Sequence, residues 1–195
     1  MPYSVRHTGI VLRYYPSRNY KVAILDKEMG RIDAVLFKRD ISPGIVIQYG
    51  LRVQRINALV EDIDIINSPL LLARADLLFL HHVLEICFHF IPVGSCTDGI
   101  FDLLCYLYQL NNEQCSNVFK KVFLFKLFTI IGYYPDAQHM SRVVMHKLVS
   151  MPMEDVSFLV ASSELERGLN DWLRQCIAQH PAIEYFNTMQ FVTNN

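Results

Sequence analysis

Between Thr8 and Ile66 apolar side chains alternate with polar ones, and after Pro69 they recur every three or four residues instead. That change of period marks a change from strands to helices. In the first part Ile10, Leu12 and Tyr14 fall on one face of a strand and Val11, Arg13 and Tyr15 on the other. Val22 and Ile24 oppose Lys21 and Ala23 in a second strand, and Ile32, Ala34 and Leu36 face inward from a third that runs from Arg31 to Phe37. Pro16-Ser17-Arg18-Asn19 and Asp26-Lys27-Glu28-Met29-Gly30 supply the turns between them. Ser42-Pro43-Gly44 breaks the chain ahead of a fourth strand, Gly44 to Tyr49, and a fifth, Leu51 to Val60, the last extended toward Ile66. Five short strands hide both sheet edges most economically by closing on themselves, which predicts an OB-type barrel.

Past Asn67-Ser68-Pro69 the spacing is helical. Leu70 to Phe90 carries Leu77, Leu80, His81, Leu84, Cys87 and Phe88 in a broad stripe that Pro92-Val93-Gly94 ends. Ile100 to Tyr108 follows, with Thr97-Asp98 as its expected N-cap. Val118 to Ile131 is the most apolar stretch of the chain, stopped by Gly132 and Pro135, and predicts a buried central helix. Lys120, Lys121 and Lys126 interrupt it, whereas a membrane span needs about 20 apolar residues. Further helices are expected over Ser141 to Val149 and Ser163 to Gln179, the second carrying Leu165, Leu169, Trp172, Leu173 and Cys176 at helical spacing. The fold class is therefore α+β in two domains, a five-stranded OB-type barrel over 1–66 and an all-helical part over 70–195.

With 195 residues, 52% of them hydrophobic, the chain has material for one large core or two small ones. Its formal net charge of −1 conceals an asymmetry, because residues 1–60 carry ten Lys+Arg against four Asp+Glu and the remainder is acidic. A basic front half points to a polyanionic partner. Cys87, Cys96, Cys105, Cys115 and Cys176 are odd in number, set among apolar residues and without a CxxC pair, which fits a reducing compartment. The first fifteen residues hold no continuous apolar run of the secretory kind, so a cytoplasmic location is expected.

On the barrel, Arg13, Arg18, Lys21, Arg31, Lys38 and Arg39 are interleaved with Tyr14, Tyr15, Tyr20 and Phe37. Cations that track a phosphate backbone beside aromatic platforms, here Tyr15 and Phe37, are what a sequence-tolerant single-strand groove requires. The plainer alternative is a solvated strand face above core aromatics. In the acidic helical part Lys120, Lys121, Lys126, Arg142 and Lys147 stand out, either as the rim of an apolar groove for an acidic peptide or as long side chains lying over an apolar helix. His82, Glu85 and His89 share a helix face but lack a fourth ligand, so polar groups at the edge of a packed helix, with no metal, are expected. Cys176 and His180 lie four apart without a third group or an oxyanion device, and Gly94 to Gly99 lacks the lysine of a phosphate loop. No catalytic residue, cofactor or enzymatic activity is expected.

Taken in order, Gly9-Ile10-Val11-Leu12-Arg13, Gly30-Arg31-Ile32, Leu78-Phe79-Leu80-His81-His82-Val83-Leu84-Glu85 and Phe125 to Asp136 resemble the bacterial recombination mediator family RecO, whose members join an OB barrel to a helical domain. The resemblance spans nearly the whole chain. It implies a non-enzymatic protein of the RecFOR pathway that binds single- and double-stranded DNA, anneals complementary strands and, with RecR, helps RecA displace single-stranded-DNA-binding protein. It further implies that the helical domain takes the C-terminal tail of single-stranded-DNA-binding protein, and that the protein lies in the cytoplasm near the nucleoid. Two departures stand out: the four-cysteine zinc insertion of many members is missing after Asp136, and the chain is shorter than most. The alternative is a protein-interaction adaptor whose barrel no longer binds nucleic acid.

Overall fold

The computed structural model describes residues 5–16, 20–37, 41–54, 57–96, 98–110, 114–133, 140–156, 158–159, 162–181 and 186. Strands β1 (Arg6–Tyr14), β2 (Lys21–Asp26), β3 (Gly30–Leu36), β4 (Val46–Gln54) and β5 (Asn57–Asn67) close into a barrel in the order β1-β2-β3-β5-β4. Every pairing is antiparallel except β3 with β5, which is parallel. The architecture is the OB-type barrel followed by helices that the change of period predicts.

Strict alternation fails at one point in β1. The β1–β2 register shifts between Val11 and Arg13, and the extra residue at Leu12 resets which side chains point inward. Val11 and Tyr14 both join the barrel interior, with Val22, Ile24, Ile47 and the fully buried Tyr49, while Ile10, Leu12 and Tyr15 face out. Tyr14 therefore leaves the face that alternation assigned it.

The expected break at Gly50 is also absent, since β4 runs through that residue to Gln54. A strand glycine often marks an irregular pairing, and here the β4–β5 register shifts between Gln48 and Gly50 while Asp62 on the partner strand has φ 50°.

Outside the barrel, Ile10, Leu12, Ala23, Leu25 and Val46 belong to the same buried cluster as the helices. Both faces of β1 and β2 are apolar for this reason. Helix α1 (Leu70–Phe90) lies against them and kinks at Asp76, which has extended φ/ψ and accepts the Phe79 N–H at 2.9 Å, capping the second half of the helix. The remaining helices are α2 (Ile100–Gln109), α3 (Asn117–Ile131), α4 (Arg142–Ser150), α5 (Met153–Val156) and α6 (Ser163–Ala178). Helix α2 starts at Gly99 with no side-chain cap, so Asp98 does not play the part its position suggested.

Helix α3 is the buried centre. Phe119, Val122, Phe123, Leu124, Phe125, Leu127 and Phe128 are all fully buried, and Trp172 of α6 packs with its ring centroid 4.6 Å from that of Phe125. Ser116 caps the N-terminus by accepting from the Phe119 N–H at 3.1 Å. At the other end Gly132 takes φ 88°, and Tyr133 N–H returns to the Phe128 carbonyl at 2.9 Å. That bond closes a Schellman stop.

Candidate nucleic-acid interface

Asp33 projects from β3 toward the seam between barrel and helices, where it gathers three of the groups expected on a DNA surface. Tyr15 Oη donates to its Oδ2 at 2.7 Å, Lys21 Nζ lies 3.0 Å from the same oxygen, and Arg31 Nη2 lies 3.6 Å from Oδ1. Arg31 Nη2 also donates to Tyr15 Oη at 3.1 Å. Its Nη1 donates to the carbonyls of Phe88 and, at 3.0 Å, Ile91, so it satisfies backbone acceptors at the C-terminal end of α1. The Arg31 side chain is only 11% exposed. Burial, with the Asp33 carboxylate adding to it, raises the Tyr15 phenol above its ordinary pKa against the opposing pull of Arg31.

Arg31 and Tyr15 therefore hold barrel to helix, and Lys21 is paired with Asp33 beside them, rather than the three forming an open groove. The cause is the carboxylate two residues from Arg31 together with Phe88, which sequence reading passed over. Arg13 joins the edge of this cluster with its guanidinium carbon 5.2 Å from the Phe88 centroid, but stays half-buried on a cleft. Arg18, Lys38 and Arg39 lie outside the described residues.

Among the described residues of the barrel, the most exposed aromatic side chains are Phe37, 65% exposed, and Tyr20, 38% exposed, with ring centroids 5.4 Å apart. Leu36 N–H donates to the Tyr20 carbonyl at 2.7 Å, tying the end of β3 to the turn before β2. Tyr20 holds φ 69°, a left-handed conformation costly for an aromatic residue. The segments beside the pair, 17–19 and 38–40, carry Arg18, Lys38 and Arg39 in the sequence. Tyr20 is thus a better platform than Tyr15, and its position next to a turn is the sequence signal that distinguishes it.

In the helical part three of the five expected rim cations have internal partners. Lys120 Nζ lies 2.7 Å from Asp76 Oδ2 at the α1 kink, and Lys121 Nζ is 3.7 Å from Glu166 Oε2. Burial works to raise the Asp76 carboxyl, but the Lys120 and backbone hydrogen bonds outweigh it and hold the group below its ordinary pKa. Lys126 Nζ donates to the carbonyls of Val149, at 2.9 Å, and Met151, satisfying the end of α4. Burial lowers its pKa. Each of these lysines sits on a helix packed nearly all round, so its stem is buried and its charge meets the nearest acceptor. Arg142 and Lys147 remain exposed on α4. A groove of about 320 Å³, lined by Leu103, Tyr106, Lys126, Ile130, Val149 and Glu154, reaches α4 at Val149, and neither Arg142 nor Lys147 is among its lining residues.

The other candidate groups do not converge. His82 is fully buried in the core, Glu85 lines the cleft with Arg13, and His89 stacks on Phe186 at 4.5 Å. Among the described residues no group of three or more His, Cys, Asp or Glu is placed to hold a metal ion. Cys176 is fully buried with its thiol pushed far up by burial, while His180 Nε2 lies 3.1 Å from the His89 carbonyl oxygen. No helix among the described residues is long and apolar enough to cross a membrane.

No protein-family model matches the chain, and no curated protein matches it.

Proposed function

We propose that the protein is a RecO-like mediator of DNA repair and recombination. It binds single- and double-stranded DNA, anneals complementary strands and helps RecA load onto strands coated with single-stranded-DNA-binding protein. The observation that supports this most is the exposed Tyr20–Phe37 pair at one end of a closed barrel, set in sequence between segments that carry Arg18, Lys38 and Arg39. Aromatic rings that stack on any base, beside cations that neutralise phosphate, give sequence-tolerant binding. Neutralising two strands at once lowers their repulsion and lets pairing nucleate. The apolar groove that reaches Val149 of α4, the helix that also carries the exposed Arg142 and Lys147, is the candidate seat for the acidic, aromatic-ended tail of single-stranded-DNA-binding protein. RecR is a further partner on the resemblance alone, as is a place near the bacterial nucleoid. The chemistry needs no cofactor.

The second reading, a protein-interaction adaptor, is favoured by one observation. Lys21 and Arg31 are spent at the seam, and Arg6 and Arg52 are paired with Asp64 at 2.7 Å and Glu61 at 3.6 Å. Annealing of complementary oligonucleotides, bare and coated, separates the two readings. Acceleration of both, with steep loss as salt rises, is the expected result; no retention on DNA at low salt would leave the adaptor.

A further inference from the structure

The cleft between β1 and α1 holds groups that the phosphate-and-stacking reading does not use. It has a volume of about 180 Å³, apolar walls from Leu12, Pro43 and Leu84, and three polar side chains, Arg13, His81 and Glu85. Arg13 is held from the barrel side with its guanidinium over Phe88, and Glu85 comes from the helix side. A fork of donors and a two-oxygen acceptor thus share one small apolar slot.

The geometry points to this cleft as a pocket for one unstacked guanine base of a bound strand, an assignment that rests on the DNA-binding reading and gives it a base preference. Guanine presents adjacent acceptors, O6 and N7, which suit the N–H fork of an arginine. Its other edge presents adjacent donors, N1–H and the N2 amino group, which suit the two oxygens of a carboxylate. Adenine and cytosine each offer a carboxylate a single amino group, and thymine offers one imide N–H. Each Glu85 oxygen can accept more than one hydrogen bond, so other contacts of that side chain do not bar the base. Arg13 becomes a reader of bases, in contrast to the phosphate-tracking cations of the 17–19 and 38–40 segments.

The test uses the full-length protein with an all-thymidine oligonucleotide, the same oligonucleotide carrying one central guanine, and versions in which that guanine is replaced by 7-deazaguanine or hypoxanthine, all at one salt concentration. The single guanine should tighten binding about tenfold, the discrimination typical of one good bidentate base contact. Loss of N7 or of the N2 amino group should each remove most of that gain. Glu85→Gln should bring the guanine-to-thymine ratio close to one, and the analogues on the unaltered protein keep the test decisive if that variant folds poorly. Deoxyguanosine monophosphate, titrated alone by calorimetry against the other three nucleotides, reads the cleft without the strand. Equal binding of the oligonucleotides overturns the guanine assignment and leaves the DNA reading standing. Selective binding of the mononucleotide without any strand binding keeps the pocket and overturns the DNA reading, and no binding of either kind overturns both.

Discussion

Arg31 and Phe88, 57 residues apart in sequence, meet twice. The guanidinium carbon stands 4.4 Å from the ring centroid, and its Nη1 donates to the Phe88 backbone carbonyl. Side chain and main chain of one helix residue are thus both held by one strand residue. Replacing Arg31 by Ala strips the Phe88 and Ile91 carbonyls of this donor and Asp33 of one of its three partners, and should cost about 3 kcal/mol in denaturant unfolding. Arg31→Lys should recover less than half of this, because an ammonium cannot reproduce the fork. Arg13→Ala, at the edge of the same cluster, should stay below about 1 kcal/mol.

Gly30 and Gly132 both have positive φ, but only Gly30 is crowded. A β-carbon on Gly30 (φ 72°) would stand 1.9 Å from the Ser95 carbonyl oxygen, whereas one on Gly132 (φ 88°) meets nothing within 4 Å. Gly132→Ala should cost about 1 kcal/mol, the left-handed penalty alone. Gly30→Ala must also displace the 92–96 loop, and should lower the melting temperature by at least twice as much.

Tyr20→Gly should stabilise the fold by up to about 1 kcal/mol, since φ 69° suits glycine, and yet weaken single-strand binding. Phe37→Ala should weaken binding about tenfold with little change in stability, in keeping with about 1–3 kcal/mol per stacked base. Fluorescence anisotropy and thermal melting of the same samples read both effects. Unchanged affinity in both variants would remove the aromatic pair from the interface.

Acid should unfold the protein in two stages. Burial lowers His82 from 6.5 to about 4, so the unfolded chain binds the proton first and stability falls as pH drops from 6.5 toward 4. That loss is on the order of 3 kcal/mol for His82. His89, lowered to about 4 mainly by burial, adds a smaller part because it is only partly buried. Asp76 is depressed instead, so its contribution is present above its unfolded value of 3.8 and disappears only below it. Denaturant unfolding at a series of pH values should show a decline through the first window, and His82→Leu should flatten it. A stability that stays level from pH 6.5 to 4 would show that neither histidine is buried in neutral form.

Lys120, Lys121 and Lys126 belong to the fold as much as to any surface. Lys126→Met should lower stability by about 1 kcal/mol through the lost contacts at the end of α4. Arg142→Ala with Lys147→Ala should leave stability unchanged and slow annealing only on coated strands, which thermal melting and a strand-pairing assay resolve.

The period of the apolar residues was enough to read the number of strands, the first three of them, the first helix and the buried α3, because each of those elements repeats its pattern over several residues, whereas it puts the boundary between β4 and β5 at Gly50 instead of after Gln54. The bulge at Leu12 was not legible, since one inserted residue leaves composition and local polarity unchanged. Arg31 and Lys21 read as surface cations because a strand pattern reports which face a side chain is on. It cannot report that Asp33 and Phe88 will meet them there. Tyr20 showed its exposure only through its place beside a turn.

The outer face of β1 and β2 has one further consequence. Ile10, Leu12 and Leu25, covered by the helices, would be wet in an excised barrel, and each such side chain is worth about 1.5–3 kcal/mol when buried. The barrel is consequently no cassette that can be cut out, grafted onto another chain or lost by itself. A change of side-chain volume on that outer face is therefore felt by the helices packed over it, and a change in the helices is felt by the barrel.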